Sequence, residues 1–178
     1  MKSEADLARL AVDLRFLLLD VDGVLTDGGL IYTGDGSETK RFDAKDGMGI
    51  NMARMAGLKV GIVTSRESAV VSRRAMELSI DEVFQGISNK PDILPILAEK
   101  YQVQPQEAAY IGDDIQDISL MDRVGVPIAV QNAVPAVKEH SLYVTRACGG
   151  HGAVREAVEW LLELRGDKDR VYRQIIGG

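Results

Sequence analysis

Strand-like apolar runs alternate with helical patterns along the whole chain, and few folds accept that order. The runs are 15–20, 59–63, 108–111, 126–130 and 142–144; the helical segments are 47–56, 67–78, 92–101, 115–123, 134–139 and 151–165. Alternation of this kind predicts a doubly wound, mostly parallel α/β sheet with helices on both faces. Local signals agree. Asp46 is placed to cap the helix at 47–56 and Gly57 to end it. Val71, Ala75 and Leu78 form an apolar helical stripe, as do Val154, Val158 and Leu161. Pro135 stands where a first helical turn tolerates it, and Pro95 does so if its helix starts near Asp92. One segment breaks the pattern. Residues 29–43, with Gly34-Asp35-Gly36 at their centre, predict a β-hairpin directly after the first strand. Residues 167–178 are polar and end in Gly-Gly, which predicts a flexible tail. With no internal repeat, 178 residues predict a single domain with a sizeable core.

The first run ends abruptly in Asp20-Val-Asp22-Gly23. Carboxylates two apart on an extended chain point to the same side, and this strand end is where open α/β sheets take ligands. Two such anions repel unless a cation or a shared proton relieves them, and a hard divalent metal held by oxygen ligands is the simplest relief. A helix–loop–helix calcium site is excluded, because Val24, Leu25 and Ile31 occupy positions that need a ligand, a glycine and a glutamate. Three more polar groups fall at strand ends or helix starts. Thr64-Ser65-Arg66 follow Val60–Val63, Lys90 precedes the helix at 92, and Gly112-Asp113-Asp114 follow the strand at 108–111, with Asp117 one turn later. Strand C-termini of a doubly wound sheet share one edge, so these groups can converge. Carboxylates, a hydroxyl, a lysine and a metal suit phosphoryl transfer. Asp20 as nucleophile and Asp22 as acid, then base, would split hydrolysis into two steps through an aspartyl-phosphate.

Charge and cysteine content narrow the setting. A net charge of −6 without a basic block argues against nucleic acid or an anionic membrane as partner. An acidic protein that binds an anion needs locally placed cations, so single lysines and arginines matter. Cys148 is the one cysteine, which rules out an internal disulfide and fits a reducing cytosol. Residues 1–14 are charged and amphipathic, unlike a signal peptide, and the run at 16–19 is too short to span a bilayer, so a cytoplasmic protein is expected. His140 and His151 lack metal-ligand spacing. Met48, Met52 and Met55 fit packing or a subunit interface.

The four motifs together resemble the haloacid dehalogenase superfamily. Its first signature appears as Asp20-Val-Asp-Gly-Val-Leu-Thr-Asp27, its hydroxyl as Thr64, its lysine in Ser88-Asn89-Lys90, and its acidic motif as Gly112-Asp113-Asp114-Ile-Gln-Asp117. About residues 13–165 are similar to the 3-deoxy-D-manno-octulosonate 8-phosphate phosphatase group. The telling stretches are Phe42-Asp-Ala-Lys-Asp-Gly-Met-Gly-Ile50, Phe84-Gln-Gly-Ile-Ser-Asn-Lys90 and Gly149-Gly-His-Gly-Ala-Val-Arg-Glu156. The resemblance implies a capless Rossmann-like fold and a Mg²⁺-dependent enzyme of lipopolysaccharide precursor synthesis. It also implies a homotetramer in which a neighbour's hairpin and tail help close each site. By the same resemblance, Mg²⁺ is held by the Asp20 carboxylate, the Asp22 backbone carbonyl and Asp113, with Asp114 and Asp117 beside it. Thr64 and Lys90 join Asp20 and Asp22 as catalytic groups. Asp43, Ala44, Lys45, Asp46, Gly47, Asn51, Arg66, Arg74 and Lys90 line the substrate site. A guanidinium pairs bidentately with a sugar carboxylate, and relatives acting on nine-carbon 2-keto-sugar phosphates tend to carry Glu at the place of Arg66, so the eight-carbon substrate is favoured. A nine-carbon sugar 9-phosphate is the alternative. A phosphoacceptor receiver domain is disfavoured by chain order, since Thr64 and Lys90 precede Asp113-Asp114. Asn51 and His151 stand where arginine is common in the group, and Ser65 where glycine is usual.

Overall fold

The computed structural model describes residues 3–177. Its elements run in the order α1 (Glu4–Asp13), β1 (Phe16–Leu19), β2 (Ile31–Tyr32), β3 (Glu38–Thr39), α2 (Ala44–Met55), β4 (Lys59–Val63), α3 (Ala69–Glu77), β5 (Glu82–Phe84), α4 (Ile93–Tyr101), β6 (Ala108–Gly112), α5 (Ile115–Met121), β7 (Val126–Ala129), α6 (Pro135–Glu139), β8 (Tyr143–Val144), α7 (Ala153–Arg165) and α8 (Lys168–Ile176). A six-stranded sheet has the order β5-β4-β1-β6-β7-β8, and every pairing in it is parallel. The chain leaves β1 toward β4 and β5 on one side, then returns to build β6, β7 and β8 on the other. The order therefore reverses at β1, and the carboxyl end of that strand opens into the crevice such sheets use for ligands.

Central strands of a parallel sheet are covered on both faces, so they read as unbroken apolar runs. All of β1 and β6 is buried, and Leu18 lies between Gly61 of β4 and Tyr110 of β6. The helices α2 and α7 approach so closely that a Cβ on Gly49 would sit 2.7 Å from the Arg155 Cα. Val71, Ala75, Leu78, Val154, Val158 and Leu161 are all buried, as their spacing predicts. Gly57 ends α2 at φ +89°, its N–H bonding back to the Arg54 carbonyl, and Pro135 opens α6. The hairpin forms as β2 and β3, paired antiparallel with Ile31 opposite Thr39.

Four features differ from the sequence-based expectation. The N-cap of α2 is Asp43, whose Oδ1 accepts from the Lys45 N–H at 2.6 Å; Asp46 lies within the first turn and serves another helix. Residues 168–176 form α8 instead of a flexible tail, because Val171 is buried and the Tyr172 hydroxyl reaches Glu159 at 2.7 Å. The N-terminal segment forms α1, closed by a capping box between Ser3 and Asp6. A short edge strand, β5, pairs with β4. No helix among the described residues is long and apolar enough to cross a membrane.

Candidate active site

Three neighbouring elements bring acidic groups to the crevice. Asp20 follows β1, Asp113 follows β6, and Asp117 sits in the first turn of α5. Carboxylate oxygens of all three lie within 4.8 Å of one another. One cation stands among them: Lys90, 1% exposed, lies in a short 3-10 turn leading into α4. Its Nζ is 3.0 Å from Asp20 Oδ2, 2.5 Å from Asp117 Oδ1 and 2.9 Å from the Tyr110 hydroxyl. Burial works against the Lys90 charge, yet Asp20 and Asp117 outweigh it and hold its pKa above the ordinary lysine value.

The carboxylates have different freedom. Asp117 Oδ1 also accepts from the Tyr110 hydroxyl at 2.6 Å, while its Oδ2 accepts from the backbone N–H groups of Asp113 and Asp114 at 2.8 and 3.0 Å. Asp117 is thus consumed in holding the 112–117 turn and Lys90. Asp114 caps α5, its Oδ1 accepting from the Ile115 N–H at 2.7 Å, and it faces solvent. Asp113 Oδ1 is buried and has no hydrogen-bond partner among the described residues. Burial, then repulsion from Asp20 and Asp117, pushes the Asp113 carboxyl up to about 7. Burial also raises Asp20 to about 7, against the pull of Lys90. An excess of buried negative charge beside an unused oxygen is the donor set a hard divalent cation satisfies. The residues present fit such an ion, with Asp20 and Asp113 as the available carboxylates.

Gly23 makes this approach possible. It adopts φ +89°, and a Cβ there would lie 2.0 Å from Asp113 Oδ2. The 149–150 turn packs on the same loop, backbone against backbone. A Cβ on Gly149 would fall 1.6 Å from the Gly23 carbonyl oxygen, and the Gly150 N–H bonds to the Val24 carbonyl at 2.9 Å. Asp46 anchors the helix behind that turn: its carboxylate accepts from the Gly152 and Arg155 N–H groups at 3.2 and 2.9 Å. With both oxygens so engaged, the Asp46 side chain caps α7 from a distance, a role the sequence-based expectation did not give it.

A second set of charges surrounds Asp22. Its carboxylate pairs with Lys40 Nζ from the hairpin and lies 3.6 Å from Arg66 Nε. Lys40 also pairs with Glu38 at 3.2 Å. Arg66 Nη2 donates to Glu38 Oε1 at 3.1 Å and to the Tyr32 hydroxyl at 3.0 Å. The remaining Glu38 oxygen accepts from the Ser68 hydroxyl. Thr64, buried at the end of β4, shares this edge, and its Oγ1 accepts from the Arg66 N–H at 3.3 Å.

The other expected substrate residues form two further groups. Gly47 and Arg74 meet closely: a Cβ on Gly47 would lie 2.6 Å from an Arg74 Nη, and the guanidinium carbon sits 5.7 Å from the Phe42 ring centroid. Asp43, Ala44 and Lys45 open α2 alongside them. Asn51 lines a shallow groove with Met48, Arg54, Met55 and Ile175, which contains none of the acidic cluster. The residues missed were Tyr110, Glu38, Lys40 and Tyr32. For Glu38 and Lys40 a signal existed, since residues two apart on a hairpin strand share a face.

Comparison with known proteins agrees with this geometry. The family model of haloacid dehalogenase-like hydrolases matches residues 77–156. The 3-deoxy-D-manno-octulosonate 8-phosphate phosphatase of Escherichia coli is 43% identical over 173 residues, which cover 97% of this chain and 92% of that protein. The crystal structure of the Moraxella catarrhalis phosphatase of that name, in complex with magnesium, phosphate and KDO, superposes with a TM-score of 0.91 at 36% identity, covering 96% of this chain and 98% of that one. The Yersinia pestis phosphatase gives a TM-score of 0.89 at 37% identity, covering 92% and 89%. This chain belongs to the haloacid dehalogenase-like hydrolases, and within them to the 3-deoxy-D-manno-octulosonate 8-phosphate phosphatase group.

Proposed function

We propose that this protein hydrolyses 3-deoxy-D-manno-octulosonate 8-phosphate to the free sugar acid and inorganic phosphate, and that Asp20 is the nucleophile. The observation that carries the reading is the convergence of Asp20, Asp113 and Lys90 at one strand edge, with Asp22 and Arg66 beside them. Asp20 attacks phosphorus and forms an aspartyl-phosphate. Asp22 protonates the departing sugar oxygen, then takes a proton from the water that cleaves the acyl phosphate. Lys90 fixes the Asp20 carboxylate through Oδ2, and the Val21 N–H orients Oδ1 at 2.7 Å, whose remaining lone pair attacks. The Thr64 hydroxyl donates to a phosphoryl oxygen. Mg²⁺, held by Asp20, the Asp22 carbonyl and Asp113, neutralises the phosphoryl oxygens and keeps the two carboxylates ionised. Arg66 pairs with the sugar carboxylate.

The reading extends to a cytoplasmic homotetramer of single-domain subunits, in which a neighbour completes the site. Exposed Leu30, Ile31 and Tyr32 on the hairpin, and exposed Met48, Met55, Ile175 and Ile176 near α2 and α8, supply apolar surface for such contacts. The group at Asp43–Gly47 and Arg74 would then serve an adjoining subunit's substrate.

The test is phosphate release from a panel of sugar phosphates in Mg²⁺ buffer. The eight-carbon keto-acid phosphate is expected to give the highest kcat/KM, above a nine-carbon 2-keto-sugar 9-phosphate and sugar phosphates without a carboxylate. A higher value for either competitor overturns the substrate assignment.

A further inference from the structure

The hairpin does more than lie beside the crevice: it grips one side chain of it. Arg66 Nη2 is taken by two hairpin groups, Glu38 Oε1 at 3.1 Å and the Tyr32 hydroxyl at 3.0 Å. Its Nε edge faces Asp22 Oδ2 at 3.6 Å without a hydrogen bond. Nη1 has no partner among the described residues on this edge. Glu38 is itself held firmly. The Ser68 hydroxyl at the start of α3 donates to it, Arg66 donates to it, and Lys40 pairs with it at 3.2 Å. These contacts, the Ser68 hydrogen bond foremost, keep its carboxyl below the ordinary glutamate range.

A free arginine side chain carries rotamer entropy that is lost when it binds an anion. Fixing the guanidinium beforehand lowers that cost and sets the direction from which an anion must approach its remaining donor. We propose that Glu38 and Tyr32 are positioning residues that lock Arg66 so that Nη1 is presented to the carboxylate of the sugar acid. The hairpin is thereby the element that makes the enzyme selective for carboxylated sugar phosphates. This rests on the substrate reading above.

The charges support positioning over simple attraction. Asp22 and Glu38 balance Lys40 and Arg66, so the set carries no net charge to draw an anion in. Its value to a carboxylate lies in where the donors point.

The measurement is the ratio of kcat/KM on the eight-carbon keto-acid phosphate to kcat/KM on a sugar phosphate without a carboxylate, in the full-length protein with Mg²⁺. A loss that merely disturbs the fold lowers both values and divides out of the ratio. Glu38→Ala is expected to lower the ratio by about tenfold or more, and Tyr32→Phe by about threefold, in line with loss of an ion-paired hydrogen bond and of one in which the donor alone is charged. Glu38→Gln keeps an acceptor oxygen and is expected to fall between wild type and Glu38→Ala. Tyr32 is 59% exposed, so its phenylalanine variant keeps the test open even if Glu38→Ala fails to fold. If wild type prefers the carboxylated substrate and both variants keep that preference, the inference is overturned while the substrate reading stands. If wild type shows no preference, the substrate reading fails and takes this inference with it.

Discussion

Replacing Lys90 by methionine isolates the electrostatic balance of the acidic cluster. The two side chains have similar length and volume, so the buried stem is replaced and the charge alone is lost. Lys90 Nζ is within 3.0 Å of Asp20 and within 2.5 Å of Asp117, and the lysine is 1% exposed. Without it, three carboxylates within 4.8 Å share a buried site with no counter-charge. Removing one partner of a buried pair costs about 3–5 kcal/mol. For a domain of this size that corresponds to a fall in Tm of roughly 6–20 °C. Asp20 and Asp113 stand at about 7 in the folded wild type, above the 3.8 of a free aspartate. Their carboxyls therefore bind protons more readily when folded than unfolded, so their ionisation destabilises the metal-free fold as pH rises through 4 to 7. The Lys90→Met penalty is accordingly expected to be large at pH 8 and smaller at pH 5.5, where a proton substitutes for the lost lysine. Urea denaturation in a chelator measures both. Mg²⁺ added at a hundred times its Kd returns about 2.7 kcal/mol. A metal-free loss below about 1 kcal/mol at pH 8, with an unchanged m-value, would refute the view that Lys90 balances this cluster.

Three other outcomes test the remaining roles. Asp20→Asn is expected to abolish phosphate release while the circular dichroism spectrum persists; retained turnover removes Asp20 as nucleophile. Chelation should stop wild-type activity and Mg²⁺ should restore it, whereas Asp113→Asn should weaken Mg²⁺ binding by titration calorimetry; undiminished affinity in that variant overturns Asp113 as a ligand. Asp46→Ala leaves the Gly152 and Arg155 N–H groups without their acceptor and is expected to cost about 2–3 kcal/mol in urea denaturation. A value near zero there would show that α7 does not depend on this cap.

The sheet was legible because its central strands are buried on both faces. Phe16–Leu19 and Ala108–Ile111 announce themselves as apolar runs, and the polar residues that follow them mark the crevice. β5 is three residues at the edge with a part-exposed pattern, so it has no such signature. α8 is predominantly polar and buries Val171, a signal one residue long. Asp46 carries an N-cap signal at a helix start, and that local reading was reasonable. Its true partner lies 109 residues away, and only the packing of α2 on α7 reveals it. The hairpin was likewise visible as a turn, while the use of its charges depended on where it folds.

The two charge sets differ in what they leave uncompensated, and that difference bears on where a cation would sit. Around Lys90, three carboxylates and one ammonium leave two negative charges when all are ionised, which is the charge of one divalent cation. Around Arg66, two carboxylates meet two cations and the balance is already complete. Charge balance therefore favours a cation at the strand edge of Asp20 and Asp113 over one between Asp22 and Glu38, although all four are acidic. Lys40 is what creates the difference, since its buried ammonium occupies the space between Asp22 and Glu38. Replacing Lys40 by methionine would return a negative charge to that space and open a second place for Mg²⁺ beside Asp22. Titration calorimetry would then show a second Mg²⁺ equivalent absent from wild type; a single equivalent in both would mean that charge balance does not decide where the cation sits.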